Sequence, residues 1–311
     1  MADLQYEYWL RENAVPIVHK VHKEGLMRDS VAFHNEKFFS FYNWGFSDDD
    51  QGYEFEMIVG DGEKATHNII PFYVDGGVSV CDENIRIPAY EDYGINNMEV
   101  PTYENKRSLY TLSVDMTPVL LMRVDQPVID NRLKTVNSMG SSHVCYENKI
   151  LPDVVDVDNK DNDEDYRYGL EKWNIHDKTH DILLLKNDSG EYIDPRLYGR
   201  IDILCAEDDF VYAHVGQGLI VKIHMDTGIV EHVNEPLEPM GIDEDYRYSF
   251  TSAYGNDAVY QFIVDRDKED DSCLRILDVE TGKEKERFYY SGVNEIFKKY
   301  STSGMAVNPR S

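Results

Sequence analysis

The amino-acid sequence predicts an all-β protein built from repeated sheets of four strands. Short runs rich in Val, Ile, Tyr, Phe and Thr are interrupted by Gly, Asp or Asn every ~8–12 residues along most of the 311-residue chain. The apolar spacing of three to four residues that marks a helix is confined to the first dozen residues and to residues 293–300. Two kinds of strand pair alternate between these ends, so the fold is predicted to be a repeat.

The clearest repeated element is a hairpin whose two strands flank an acidic residue, Thr and Gly. It reads LIVKIHMDTGIVEHV over residues 219–233 and CLRILDVETGKEKERFYY over residues 273–290. The acid can accept turn N–H groups and Gly takes a positive φ at little steric cost, so residues 226–228 and 280–282 are predicted turns. Residues 109–123 align with the first of these hairpins without a gap, with residues 116–118 at the turn, and weaker copies lie at residues 53–70 and 168–186.

A second element, made of a short strand, a polar tip and another strand, precedes each hairpin. Its copies begin at Val31, Val78, Ser142, Asp202 and Ser252. Cys81, Cys145 and Cys205 occupy the same position in three of these copies, which indicates packing rather than chemistry. We therefore expect them in different sheets, and all four cysteines, with Cys273, to be unpaired.

Alternating the two elements gives five units of roughly fifty residues, and the two ends of the chain supply a sixth. Residues 6–19 resemble the hairpin element, and residues 302–309 resemble the first strand of the tip element. Pairing the two ends would close a ring and remove exposed sheet edges. The sequence thus predicts a single β-propeller domain over residues 1–311, of about six four-stranded blades with a range of five to seven, in which residues 1–20 and 293–311 complete the closing blade.

The hairpins KIHMDTGIVEHV and RILDVETGKEKERF resemble the blade hairpins of β-propeller repeat proteins of the broad WD-repeat and PQQ-type class. The resemblance covers about two-thirds of the chain, and the Gly-His and Trp-Asp dipeptides of WD repeats are absent. It implies an architecture and carries no functional residue over to this chain.

The charge of the chain limits its partners. Thirty-one Lys and Arg against fifty-nine Asp and Glu give a formal net charge of −28, which repels phosphate backbones and anionic membranes. Neither nucleic acid nor a membrane is therefore an expected partner. The sequence has no secretory leader, no run of about 18 apolar residues and no C-x-x-C pair, so we expect a reducing, cytoplasmic location, with the nucleus as the alternative.

Motifs for nucleotide binding, serine hydrolysis and zinc proteolysis are absent from the sequence. Asp161, Asp163 and Asp165 imitate the first ligands of an EF-hand, but Tyr166 and Lys172 stand where that loop needs its sharp glycine turn and bidentate Glu. This stretch is predicted to be a solvated acidic loop, without a metal.

Two functions remain open, a non-catalytic adaptor and a propeller hydrolase with a calcium in its axial channel. A hydrolase needs oxygen ligands at equivalent positions of successive blades. The aligned tip elements offer His34, Cys81, Cys145 and Cys205 at one such position, which is not a ligand set for a hard cation. The sequence therefore favours the adaptor, with no cofactor.

We expect the adaptor to bind through acidic, tyrosine-rich loops, because Tyr gives large contact area at low entropic cost. The alternative is that the 22 tyrosines fill strand positions and the charge only maintains solubility. The candidate binding residues form two clusters, Tyr42, Trp44, Phe46 and Tyr53, and then Tyr166, Tyr168, Tyr246 and Tyr248. Acidic runs at residues 48–50, 153–165, 235–245 and 265–271 are predicted loops that would steer a protein partner with a basic contact surface.

Overall fold

The structure is a computed structural model. It describes residues 3–9, 17–23, 30–34, 37–46, 53–60, 65–70, 73–74, 79–81, 84–90, 107–113, 117–124, 133–138, 144–146, 149–159, 162–194, 198, 201–238, 247–255, 257–265 and 272–290. The chain divides into two compact units, the first holding strands β1–β11 and the second strands β12–β24. The prediction of a single domain remains a prediction.

The first unit consists of antiparallel strands. They are β1 (Asp3–Trp9), β2 (Ile17–Lys23), β3 (Ser30–His34), β4 (Lys37–Phe46), β5 (Tyr53–Gly60), β6 (Ala65–Ile70), β7 (Tyr73–Val74), β8 (Ser79–Cys81), β9 (Asn84–Tyr90), β10 (Arg107–Leu112) and β11 (Pro118–Val124). β1 and β2 form a two-stranded hairpin, β3–β6 form one sheet, and β7–β11 form another.

The second unit contains three sheets, formed by β12–β16, β17–β20 and β21–β24. Its strands are β12 (Leu133–Ser138), β13 (Val144–Tyr146), β14 (Lys149–Asn159), β15 (Asn162–Asn174), β16 (Thr179–Leu184), β17 (Ile201–Glu207), β18 (Phe210–Val215), β19 (Ile220–His224), β20 (Val230–His232), β21 (Tyr248–Gly255), β22 (Ala258–Asp265), β23 (Ser272–Asp278) and β24 (Glu284–Tyr290). A 3-10 turn, Gly216–Gly218, joins β18 to β19.

These sheets confirm the predicted all-β class and the order of the two repeated elements. Apart from the β1–β2 hairpin, the described strands form five sheets, and each of these has four positions filled in sequence order. A tip element supplies the first two positions and a hairpin element supplies the last two. In two sheets the first position is divided between two short strands. β7 and β8 both pair with β9 in one sheet. In the other sheet, β12 and β13 both pair with β14. The sequence repeat did not predict this division.

Successive sheets meet at their first strands. In the first unit β3 lies against β8, and in the second unit β13 lies against β17 and β17 against β21. The faces of the sheets also stack: Leu170 packs with Val211 on one side of the β17–β20 sheet, and Ile220 packs with Val259 on the other side. This sheet is therefore buried on both faces, which explains why the adjacent Ile220 and Val221 of β19 are both buried although they point to opposite faces.

The two clearest turns have the predicted glycines at positive φ, +72° for Gly228 and +65° for Gly282. The Gly228 N–H donates to the His224 carbonyl, and the Gly282 N–H donates to the Asp278 carbonyl, both at 2.9 Å. In the second turn the predicted role of the acid was wrong, because the acceptor is Asp278, two residues before the predicted Glu280. Asp278 Oδ1 accepts the backbone N–H of Thr281 at 2.9 Å and its hydroxyl at 2.8 Å.

The turn glycines also join successive sheets. A Cβ on Gly282 would lie 2.8 Å from the Val233 carbonyl oxygen and 2.7 Å from Asn234 Cβ, and a Cβ on Gly228 would lie closer still to the Leu184 carbonyl oxygen. Val233 and Leu184 belong to the ends of the preceding sheets, where the chain leaves the fourth strand. We call this contact between a turn glycine and the segment leaving the preceding sheet the turn latch.

Acid titration of Asp278 is expected to weaken the fold in a narrow pH range. The hydrogen bonds from the Thr281 hydroxyl and backbone N–H, and from Lys285, lower the pKa of Asp278 to about 2, below the ~3.9 of an unfolded chain. Stabilisation by this carboxylate is therefore complete above pH ~4 and is lost as the pH falls towards 2. In urea unfolding, Asp278→Asn should have a lower free energy of unfolding than the wild type at pH 5, and the two values should converge near pH 2. Thr281→Val, which removes the hydroxyl donor, should lower the free energy of unfolding at pH 5 by a smaller amount. The same pH dependence of stability in the wild type and both variants would contradict this role of Asp278.

Candidate functional site

One end of the last sheet contains a cleft of about 400 Å³. Its lining residues are Leu237, Arg247, Tyr248, Ile263, Asp265, Cys273, Arg287 and Tyr289. The strand register forms most of this lining, because Ile263, Cys273 and Tyr289 are directly opposite one another on β22, β23 and β24. Directly paired residues share a face of a sheet, so these three side chains make one wall.

The segment that enters the last sheet supplies the other side of the cleft. The Leu237 N–H donates to the Gln217 carbonyl at 2.8 Å, which fixes Leu237 against the 3-10 turn. The Arg247 N–H donates to Glu238 Oε2 at 3.2 Å. The cleft is thus held by hydrogen bonds on both sides.

Two arginines in the cleft are each paired with a carboxylate. Arg247 donates from Nε to Asp265 Oδ1 at 2.9 Å and from Nη2 to Asp265 Oδ2, and Asp265 is only 2% exposed. Arg287 donates from Nε and Nη2 to the two oxygens of Glu284 at 2.8 and 2.5 Å. Both pairs are bidentate, the geometry in which a guanidinium recognises a carboxylate most strongly.

A third arginine lies behind the cleft. Arg275 is 4% exposed and donates from Nε to Gln261 Oε1 at 2.7 Å and from Nη2 to the Gly218 carbonyl at 2.8 Å. Burial, and after it the charge of Arg287, lowers the pKa of Arg275. Both hydrogen-bond acceptors of this buried cation are neutral.

Burial disfavours the thiolate form of the cysteine in the cleft wall. Burial raises the pKa of Cys273, although Arg287 and Arg275 act in the opposite direction. Burial also raises the pKa of Cys205, which lies in the core between the last two sheets. Both cysteines are free, as predicted, and a protonated buried thiol is a poor nucleophile.

The outer strand β24 forms an exposed aromatic rim that the sequence analysis missed. Phe288 is 45% exposed, Tyr289 68% and Tyr290 42%. Since residues alternate between faces along a strand, Tyr289 belongs to the cleft face while Phe288 and Tyr290 belong to the opposite face. The signal was present as three consecutive aromatic residues at the end of the last predicted hairpin.

The structure does not bring the second predicted cluster together. Tyr248 lines the cleft, with the Arg247 guanidinium 5.0 Å from its ring centre. Tyr168 was wrongly assigned to the binding surface, because it is 2% exposed and packs in the core with Leu170. Tyr166 lies on β15 opposite Asp158, and Tyr246 lies outside the described residues.

The first predicted cluster lies on two neighbouring strands of the first unit. Tyr42, Trp44 and Phe46 belong to β4, and Tyr53 begins β5 directly opposite Phe46. Their side chains lie outside the described residues. Their binding role therefore stays a prediction.

One of the four predicted acidic loops, residues 153–165, lies mostly in strands. Residues 153–159 and 162–165 belong to the long hairpin of β14 and β15, so the predicted acidic loop there, EF-hand-like or solvated, was wrong. Asp265 is a buried residue at the end of β22. Residues 48–50, 239–245 and 266–271 lie outside the described residues.

Among the residues that the structure describes, no group of three or more His, Cys, Asp or Glu side chains could hold a metal ion. The same residues include no helix with the length and apolar character needed to cross a bilayer.

No family model matches the chain, and no curated protein matches its sequence. Among solved structures, the sialidase of Trypanosoma rangeli in complex with 2,3-difluorosialic acid is 9% identical over 91% of this chain and 50% of its own, with a TM-score of 0.49. A mutant of Synechocystis apocarotenoid oxygenase is 10% identical over 85% and 61%, with a TM-score of 0.41. The computationally designed protein Ika8 is 11% identical over 86% and 63%, with a TM-score of 0.38.

The chain spans between half and two-thirds of the length of these proteins. At these TM-scores the similarities assign neither a fold family nor a function.

Proposed function

We propose that the chain is a β-propeller of about six blades that acts as a non-catalytic protein-interaction platform. The architecture is supported by the five consecutive sheets and by the contacts between their first strands, β3 with β8, and β13 with β17 with β21. First strands that meet one another are what a radial arrangement requires. The β1–β2 hairpin is then the outer half of the closing blade, and residues 293–311, which the sequence predicts for its inner half, lie outside the described residues.

The observation that carries the binding function is the aromatic rim of β24. Phe288, Tyr289 and Tyr290 are three large exposed side chains in a row on the outermost strand of their sheet. Aromatic residues dominate the energetics of protein interfaces when a partner excludes water from them. An outer strand lies at the periphery of a propeller.

The partner that fits this rim is a protein with a basic contact surface. The net charge of −28 attracts such a partner over long range, and the exposed tyrosine rings offer their faces to Lys or Arg side chains. We place the encounter in the reducing cytoplasm, where the free thiols of Cys205 and Cys273 are stable.

Affinity capture with variants of the rim tests this function. The double variant Phe288→Ala/Tyr290→Ala should lose a stoichiometric protein captured by the wild type from native extract, or bind it at least about tenfold more weakly, mainly through faster dissociation. Tyr192→Ala is the matched control, since Tyr192 is 43% exposed but lies beyond β16, away from β24.

The charge contribution is measured separately. Association of the captured partner with the wild type should slow markedly between 0.1 M and 1 M salt, as the Debye length contracts from ~10 Å to ~3 Å. An association rate that does not change with salt would exclude steering by the acidic chain. Unchanged capture by the double variant would exclude the rim as the binding surface.

A further inference from the structure

We draw no further inference here: the strongest candidate, the partly exposed apolar face of the β21–β24 sheet on which Leu274, Ile276 and Phe288 lie, carries none, because nothing in the described part of the structure shows what covers it.

Discussion

Replacing Gly228 by alanine should destabilise the chain by at least about 3 kcal/mol in urea unfolding. The positive φ of +72° costs an L-residue about 1–2 kcal/mol. The new methyl group would also collide with the Leu184 carbonyl oxygen and lie 3.3 Å from Leu183 Cγ. A backbone oxygen at the end of the preceding sheet cannot move aside without disturbing the hydrogen bonds of that segment. The destabilisation by this collision in the turn latch therefore adds to the free-energy cost of placing alanine at a positive φ.

Gly190 provides the matched control, because its φ is +80° and nothing lies within 4 Å of an added Cβ. Gly190→Ala should cost only the free energy of the positive φ, about 1–2 kcal/mol. Gly282→Ala, with contacts at 2.7 and 2.8 Å, should resemble Gly228→Ala. If Gly228→Ala and Gly190→Ala have the same unfolding free energy, the latch contributes nothing to stability.

The second large effect is expected at Arg247. Arg247→Met should destabilise the fold by about 3 kcal/mol, because it removes the bidentate guanidinium from the buried Asp265. This loss of stability lies at the lower end of the range for breaking a buried ion pair, because the Arg247 side chain is itself 33% exposed. Chemical denaturation at neutral pH and constant salt measures it.

The double variant Arg247→Met/Asp265→Leu separates the ion pair from general packing. Replacing both charges with apolar side chains should recover most of the lost stability, because the stranded buried carboxylate is the main penalty. Lys222→Gln/Glu231→Gln removes a pair 3.7 Å apart on the neighbouring sheet, whose Glu231 is 53% exposed, and should change stability at neutral pH much less. A double variant at residues 247 and 265 no more stable than Arg247→Met would show that the carboxylate is not the cause.

The repeat of tips and hairpins could be predicted because its signals are local. Turn residues such as Gly228 and Gly282 and the alternation of strands depend only on neighbouring residues. The division of a first strand into β7 and β8 could not be predicted, since the pairing of a two-residue strand is decided by the long partner β9. The acids of β14 lie in a strand for the same reason: pairing with β15 at nine positions outweighs their low β-propensity.

The candidate site depended on information that the sequence does not contain. Tyr168 and Tyr248 end the same hexapeptide, DEDYRY, yet one lies in the core and the other lines the cleft. A tyrosine suits either place, so only the packing of the sheets distinguishes them. The opposition of Arg275 and Arg287 likewise required the register of β23 and β24, which shifts by one residue at a bulge near Leu277.

The turn latch has a consequence for synthesis of the chain. The strands of a sheet such as β17–β20 follow one another within residues 201–232, so each sheet can form soon after its last strand leaves the ribosome. The segment that leaves β16 is completed later, because the Lys186 N–H donates to Gly228 and its carbonyl accepts from Val230, both in the following sheet. The β12–β16 sheet is thus completed by the sheet that follows it, and this part of the chain should fold directionally, with the incomplete edge of the β12–β16 sheet exposed to chaperones until β20 is made.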